Sequence, residues 1–451
     1  MLPIFVLVAA LFSHSPALTS VGKALASLVV GATTELPDTP QGRCAADWFK
    51  VVASGAPEDV RRFETTYRSP ARLAETSVDV RVGRLAALRQ EFGAFSLTDV
   101  RSASAARIDL AAKSTAKGDV TLAFVFDANG KLDAIEIASG GGPGPQPLDA
   151  DRRAQLVSAA AKAVRDEYVF PEKGAAMSDA VTKAASAGAY DAIADDVALA
   201  DRLTQDLRAV TNDRHLRVRV ASPEQVQQRS HALGATDDEM RRANWQFKSC
   251  SIEPGNIGVL RFDGFVPEPE AMKVLDAAFA FLARCDALVL DIRANGGGSP
   301  EMLDHIAGYL FDKPVLLNRM IDRNGSVVGE GYSDESVPGQ RFAADLPVFV
   351  VTSSRTFSCA EEFAYDLQAL KRATIVGETT GGGAHPVKPV MLDDRMVVIM
   401  PYMRANNPIT QTNWEGVGVK SDVEVPAEQA LERAIELARK HVAERRVGSP
   451  T

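Results

Sequence analysis

Four short apolar runs, spaced by helix-patterned segments, constrain this chain more than any other feature. NIGVLRF (256–262), ALVLDIR (287–293), LPVFVVT (346–352) and ATIVGE (373–378) are each too short for a helix and nearly unbroken in hydrophobicity. A strand covered on both faces reads this way, whereas a half-exposed strand alternates. Between them EAMKVLDAAFAFLARC, EMLDHIAGYLF and the segment from Ser358 carry apolar residues at helical spacing. Strand and helix in strict alternation predict an α/β fold, a right-handed β-α-β core of buried parallel strands.

The same reading divides the rest of the chain. ADWFKVVASGAPEDVRRFETTY and ARLAETSVDVRVGRLAALRQEFG have helical spacing, and TLAFVFDANGKLDAIEIAS is two alternating runs around Asn129-Gly130, a hairpin signal. A small α+β domain over 40–140 is therefore expected, followed by a breaker-rich linker, GGGPGPQP, at 140–147. Residues 148–235 read as a helical subdomain leading to a strand that contains a histidine. The β-α-β domain occupies 250–445, closing with a hairpin, VKPVMLDDRMVVIMPY, and a charged helix, AEQALERAIELARKHVAERR.

At 451 residues the chain exceeds one ordinary core. Its 46% hydrophobic and 24% charged content is that of a globular protein, and a net charge of −9 argues against nucleic acid or an anionic membrane as partner. The apolar run Leu2–Phe12 is too short for a stable membrane span and has the length of a signal-peptide core, so residues 1–20 are read as a signal peptide, with export to the periplasm or beyond. Cys44, Cys250, Cys285 and Cys359 form no CxxC pair and no metal-ligand spacing, so no metal or cofactor is expected. Cys250 and Cys285 flank strand-like runs and are candidates for pairing; four small buried thiols is the other reading.

Chemistry concentrates in a few places. Gly296–Gly298 follow a buried strand directly, where main-chain N–H groups can turn toward an anion; an ordinary tight turn would look the same. Ser358 stands at a helix start with Glu361 three residues on, a capping-box spacing that also suits a strand-to-helix elbow carrying a nucleophile. Cys359 is a rival nucleophile at the same helix start. A serine needs a base. Of six histidines, His215 at a helix-to-strand junction and His385 in the loop TTGGGAHP are the best placed, while His14, His231, His305 and His441 lie in less suitable contexts. Asp213, Glu378 and Glu415 are candidate orienting acids.

Taken together, TNDRHLRV, LVLDIRANGGG, TSSRTFSCAEEFAYDLQALKRATIVGETTGGGAHP and NPITQTNWEGVGVKSDVEVP resemble, in this order, the tail-specific (C-terminal-processing) serine protease family, in the branch related to interphotoreceptor retinoid-binding protein and the tricorn protease core. The resemblance spans roughly 148–440 and implies a Clp-protease/crotonase-like core. It further implies Ser358 as nucleophile, the N–H groups of Gly297 or Gly298 and of Cys359 as oxyanion donors, His215 as base and Glu415 as its support, with His385 as alternative base. Processing relatives place a lysine where this chain has Gly383, the tricorn-like arrangement has a serine where this chain has Arg214, and no carboxylate-binding insert separates His215 from Asn256. The implied activity is a serine-type endopeptidase acting on polypeptide through an acyl-enzyme. The alternatives are a non-catalytic carrier of apolar ligands on the same fold, or a serine esterase or amidase.

Overall fold

The computed structural model describes residues 35–448 except 76, 128, 140–144, 222, 224–225 and 227–236. The expected signal peptide, part of the expected linker, His14 and His231 thus lie outside the described residues. The chain divides into two units, Met1–Gly141 and Gly142–Thr451.

In the first unit four helices, α1 (Pro40–Ser54), α2 (Pro57–Tyr67), α3 (Pro70–Glu75) and α4 (Val78–Phe92), precede four strands, β1 (Phe95–Ala103), β2 (Arg107–Ser114), β3 (Gly118–Phe126) and β4 (Leu132–Ser139). Three of the helices begin on proline, whose missing N–H costs nothing in the first turn. The strands form one antiparallel meander, β1-β2-β3-β4. The β3–β4 hairpin turns at Asn129-Gly130, with Gly130 at φ 71°. Trp48, Val52 and Phe63 from the helices pack with Ile108, Leu110, Leu122 and Phe124 from the sheet. Strands β1 and β2 carry no turn dipeptide as strong as Asn-Gly and were not resolved individually from sequence.

The second unit opens with α5 (Ala150–Glu167), α6 (Pro171–Ser186) and α7 (Asp196–Thr211), capped where Asp149 and Asp195 accept main-chain N–H groups. They cover a three-stranded sheet, β13-β14-β5, of β5 (Arg217–Val220), β13 (Val387–Met391) and β14 (Met396–Pro401). Leu156, Val164, Leu199 and Leu203 share one core with Val218, Met396, Val398 and Met400. The helical stretch is thus joined to strands almost two hundred residues away. A short α8 (Asp237–Arg242) follows.

The main sheet has the order β16-β12-β11-β8-β7-β6, from β6 (Phe247–Glu253), β7 (Ile257–Phe262), β8 (Ala287–Asp291), β11 (Val348–Thr352), β12 (Thr374–Gly377) and β16 (Val423–Glu424). Every pairing is parallel except β6 with β7. All five residues of β8 and of β11 are buried, as their unbroken hydrophobicity requires. Leu288 and Leu290 face α9 (Pro269–Leu282), α10 (Pro300–Leu310) and α11 (Cys359–Ala369). Ala287 and Val289 face α12 (Ala427–Gly448), where Ala430, Ala434 and Ala438 recur every fourth residue and bring the helix close to the sheet. A third small sheet, β10-β9-β15, is built from β9 (Leu316–Asp322), β10 (Val327–Tyr332) and β15 (Met403–Asn406). It was not foreseen, since polar residues such as Asn318, Arg319, Asp322 and Arg404 interrupt its strands. All four cysteines are free thiols, Cys250 exposed and Cys285 buried. Among the described residues no helix is long and apolar enough to cross a membrane.

Candidate active site

The turn from β11 into α11 is fixed by its own small polar residues. The hydroxyl of Thr356 donates to Ile292 O at 2.9 Å and that of Ser353 to Arg293 O at 2.6 Å, while Phe357 N–H donates to Asn295 O. The segment after β11 is thereby stitched to the loop after β8, and Ser358 emerges at the first turn of α11. Its backbone is at φ 59°, ψ −126°. The caps Thr39, Ser77, Asp149, Asp195 and Ser299 all have extended dihedrals. Capping needs no positive φ, and a side chain held there costs on the order of 1–3 kcal/mol.

Glu361 holds this strained turn. Its buried carboxylate accepts the N–H groups of Ser358 (2.9 Å), Gly383 (2.8 Å) and Gly382 (2.6 Å) and the hydroxyl of Thr380 (2.5 Å). Burial pushes its pKa up, and these four donors oppose that shift. One side chain thus ties the helix start to the glycine loop 381–383. The S-x-x-E spacing was visible in sequence; the three partners beyond Ser358 were not.

The glycine turn after β8 packs against the serine. A Cβ on Gly297 would lie 2.8 Å from Ser358 Cβ and 3.0 Å from Cys359 N. Gly297 N–H is already bonded to Asn295 Oδ1 at 2.9 Å, which leaves it no second acceptor to serve. The N–H groups of Gly298 and Cys359 make no hydrogen bond among the described residues. Cys359 is itself an unsuitable nucleophile: its thiol is buried against Ser299 O, and burial, with Glu362, Asp304 and Asp366 nearby, pushes its pKa well up.

His215 follows the C-cap of α7, where Asn212 turns left-handed at φ 56°, and precedes β5. Asp213 fixes the turn by accepting His215 N–H at 2.9 Å. The imidazole packs on Phe357, the residue before Ser358, with ring centroids 4.6 Å apart. Gly383 is required beside it, since a Cβ there would be 2.6 Å from His215 Cε1 and 2.3 Å from Phe357 Cζ. His215 Nδ1 is buried and has no hydrogen-bond partner among the described residues. Burial lowers the imidazole's pKa to about 4, against the pull of Asp213, so the ring is neutral at ordinary pH.

Behind His215 lies a buried network. His385 Nδ1 is 2.7 Å from Asp213 Oδ2 and 3.5 Å from Glu415 Oε2. Tyr168 donates to Asp213 Oδ2 at 3.0 Å, and Ala384 N–H to Glu415 Oε2 at 2.6 Å. Burial works most strongly against the charge on Asp213, yet the bond and charge of His385, the charge of His215 and the bond from Tyr168 together hold the pKa below the usual value. Burial, reinforced by repulsion from Asp213, raises Glu415 to about 7. Ligand atoms of Asp213, His215 and Glu415 all fall within 4.8 Å of one another.

Sequence-nominated groups from five segments thus line this region: Ser358, His215, Glu415, the glycine turn and His385. Glu378 lies apart, engaged by Ser354 N–H and Ala427 N–H. His305 is held between Asp276 (2.9 Å) and Asp334 (2.7 Å), and His441 bonds its own helix at Leu437 O. Arg214 spans the rim, donating to Gly381 O at 2.6 Å with its guanidinium over Phe357. Tyr168 and Phe357 carried no signal in the sequence.

The chain is similar to known proteins over much of its length. Residues 256–425 match the model of peptidase family S41, and residues 151–244 that of the N-terminal domain of peptidase S41 in eukaryotic IRBP, together more than half of the chain. Carboxyl-terminal-processing peptidase 2 of Arabidopsis thaliana chloroplasts is 32% identical over 142 residues, 31% of this chain and 26% of the relative. The chloroplastic C-terminal processing peptidase of Tetradesmus obliquus is 32% identical over 146 residues, 31% of this chain and 29% of the relative. The chain thus matches between a quarter and a third of the length of these curated relatives. Among solved structures, a peptidase from Parabacteroides merdae aligns over 63% of this chain and 96% of its own at TM-score 0.47 and 19% identity. The tricorn protease aligns over 77% and 45% at TM-score 0.42 and 12% identity. By its two consecutive family matches, the chain belongs to peptidase family S41.

Proposed function

We propose that this protein is a serine-type endopeptidase in which Ser358 is the nucleophile and His215 the base. The observation that carries the reading is the backbone of Ser358, strained to positive φ at a helix start whose neighbouring amides, Gly298 N–H and Cys359 N–H, have no acceptor among the described residues. Such strain is retained where a side chain must be presented to a ligand. Oγ attacks the peptide carbonyl carbon as its proton passes to His215. The carbonyl oxygen, now negative, rests on the two amides at the positive end of α11. As the C–N bond breaks, His215 returns the proton to the departing amine. Water, deprotonated by the same ring, then hydrolyses the acyl-enzyme.

His215 is suited to the task because burial keeps it unprotonated at neutral pH. Glu415 and Asp213 would stabilise the imidazolium that forms, and His385 keeps both carboxylates in place. Polypeptide as substrate is supported by the similarity to C-terminal processing peptidases. The run Leu2–Phe12 supports action in the periplasm or outside the cell, to be checked by sequencing the N-terminus of the mature protein.

Labelling with a fluorophosphonate followed by peptide mapping tests the assignment. The expected adduct is on Ser358 and disappears in Ser358→Ala. Cleavage of an unfolded polypeptide without turnover of simple esters separates a peptidase from an esterase. Absence of both adduct and cleavage in the wild type would leave the ligand carrier as the better reading.

A further inference from the structure

The cluster behind Ser358 has the donor set of a metal site. Asp213, His215 and Glu415 each offer one ligand atom, all within 4.8 Å of one another. Zinc takes imidazole nitrogen and carboxylate oxygen at about 2.0–2.2 Å in a tetrahedron, which places donors roughly 3.3–3.6 Å apart. Side-chain rotations on the order of 1 Å would close the set around one ion. Two further observations point to a ligand. His215 Nδ1 is buried without a partner among the described residues, whereas buried polar atoms are ordinarily paired. His385, itself buried, lies 2.7 Å from the Asp213 carboxylate and 3.5 Å from that of Glu415, the kind of outer partner that orients metal-binding carboxylates.

We propose that Asp213, His215 and Glu415 bind a divalent ion of the zinc class, and that the ion switches the peptidase off by occupying its base. The second half rests on the function proposed above; the first does not. Inhibition follows from the ring's proton count. Whichever nitrogen holds the ion, a neutral imidazole keeps its proton on the other, so no lone pair remains for the proton of Ser358. Magnesium and calcium are poor candidates, because they prefer six or more oxygen ligands.

Zinc chloride is titrated by calorimetry into the full-length Ser358→Ala protein, in a Cys250→Ser background that removes the exposed thiol. The expected result is one equivalent bound, with no comparable binding of magnesium or calcium, and at least tenfold weaker binding in both Glu415→Gln and His215→Ala. Circular dichroism identifies any variant that fails to fold, and the other then decides. No binding at 100-fold excess zinc, or binding indifferent to both substitutions, would overturn the site. In the Cys250→Ser protein with Ser358 intact, zinc should slow fluorophosphonate labelling at least tenfold and a chelator should restore it. Binding with unchanged labelling would overturn the switch alone. Binding in a protein that never labels would leave the metal site standing and sink the peptidase reading.

Discussion

Single residues at this site can be told apart by what each would cost. Ser358→Ala is expected to lower turnover about 10⁴-fold or more with little change in stability, measured on an unfolded polypeptide substrate. His215 and His385, both nominated as base, now separate. His215 has a ring nitrogen without a partner among the described residues and lies on Phe357, whereas His385 is committed to Asp213. His215→Ala should abolish turnover while leaving the melting temperature nearly unchanged. His385→Ala should leave the buried Asp213 carboxylate short of a partner and cost about 3 kcal/mol of stability by chemical denaturation, with residual turnover. The reverse pattern would make His385 the base. Gly383 matters for space, since a Cβ there meets both Phe357 and His215. Gly383→Ala should displace the base and lower kcat about 10²-fold, with the fold intact by circular dichroism. For the same reason this position cannot simply accept the lysine of processing relatives.

At the scale of elements, α11 does more than present a serine. Beyond Glu361 it carries the half-buried Glu362, bonded to Asn318 at 2.9 Å, and the buried Asp366, bonded to Asn407 at 2.8 Å. Burial raises Glu362 to about 7 and Asp366 well above its ordinary value; Asp304, on α10, is likewise raised to about 7. A carboxyl whose folded pKa exceeds its unfolded one binds more protons when native. Its stabilisation is complete below the unfolded pKa, near 4.5 for Glu362, and is lost as pH rises through about 7. The melting temperature should therefore fall between pH 5 and pH 8. Glu362→Gln, which keeps an acceptor for Asn318, should flatten that fall and melt about 3 °C or more above wild type at pH 8. Calorimetry across pH checks this, and identical slopes would refute it. The elements themselves were mostly legible in sequence: β7, β8, β11 and β12 announced themselves as unbroken apolar runs. Strands β9, β10 and β15 did not, because polar residues interrupt them; Asn318 in β9, like Asn407 just past the end of β15, is spent on a long-range bond to α11 that no local periodicity records.

For the molecule as a whole, Ser358, His215, Glu415, His385 and the glycine turn all belong to Gly142–Thr451, which has its own cores on both faces of the main sheet. A fragment of these residues should label with fluorophosphonate within about twofold of the full chain. Loss of labelling in a folded fragment would assign the first unit a part in the site. What the sequence determined by itself was local: buried strands from hydrophobicity, a helix start at Ser358 from S-x-x-E, a hairpin at Asn129-Gly130. The tertiary structure alone decided which imidazole packs on Phe357, the residue before the serine, that among the described residues Gly297 N–H has an acceptor while Gly298 N–H has none, and that Glu361 gathers four donors. Local order follows from interactions among near neighbours, which the order of residues records. Those other outcomes depend on the meeting of segments up to two hundred residues apart, where packing and burial choose the partner.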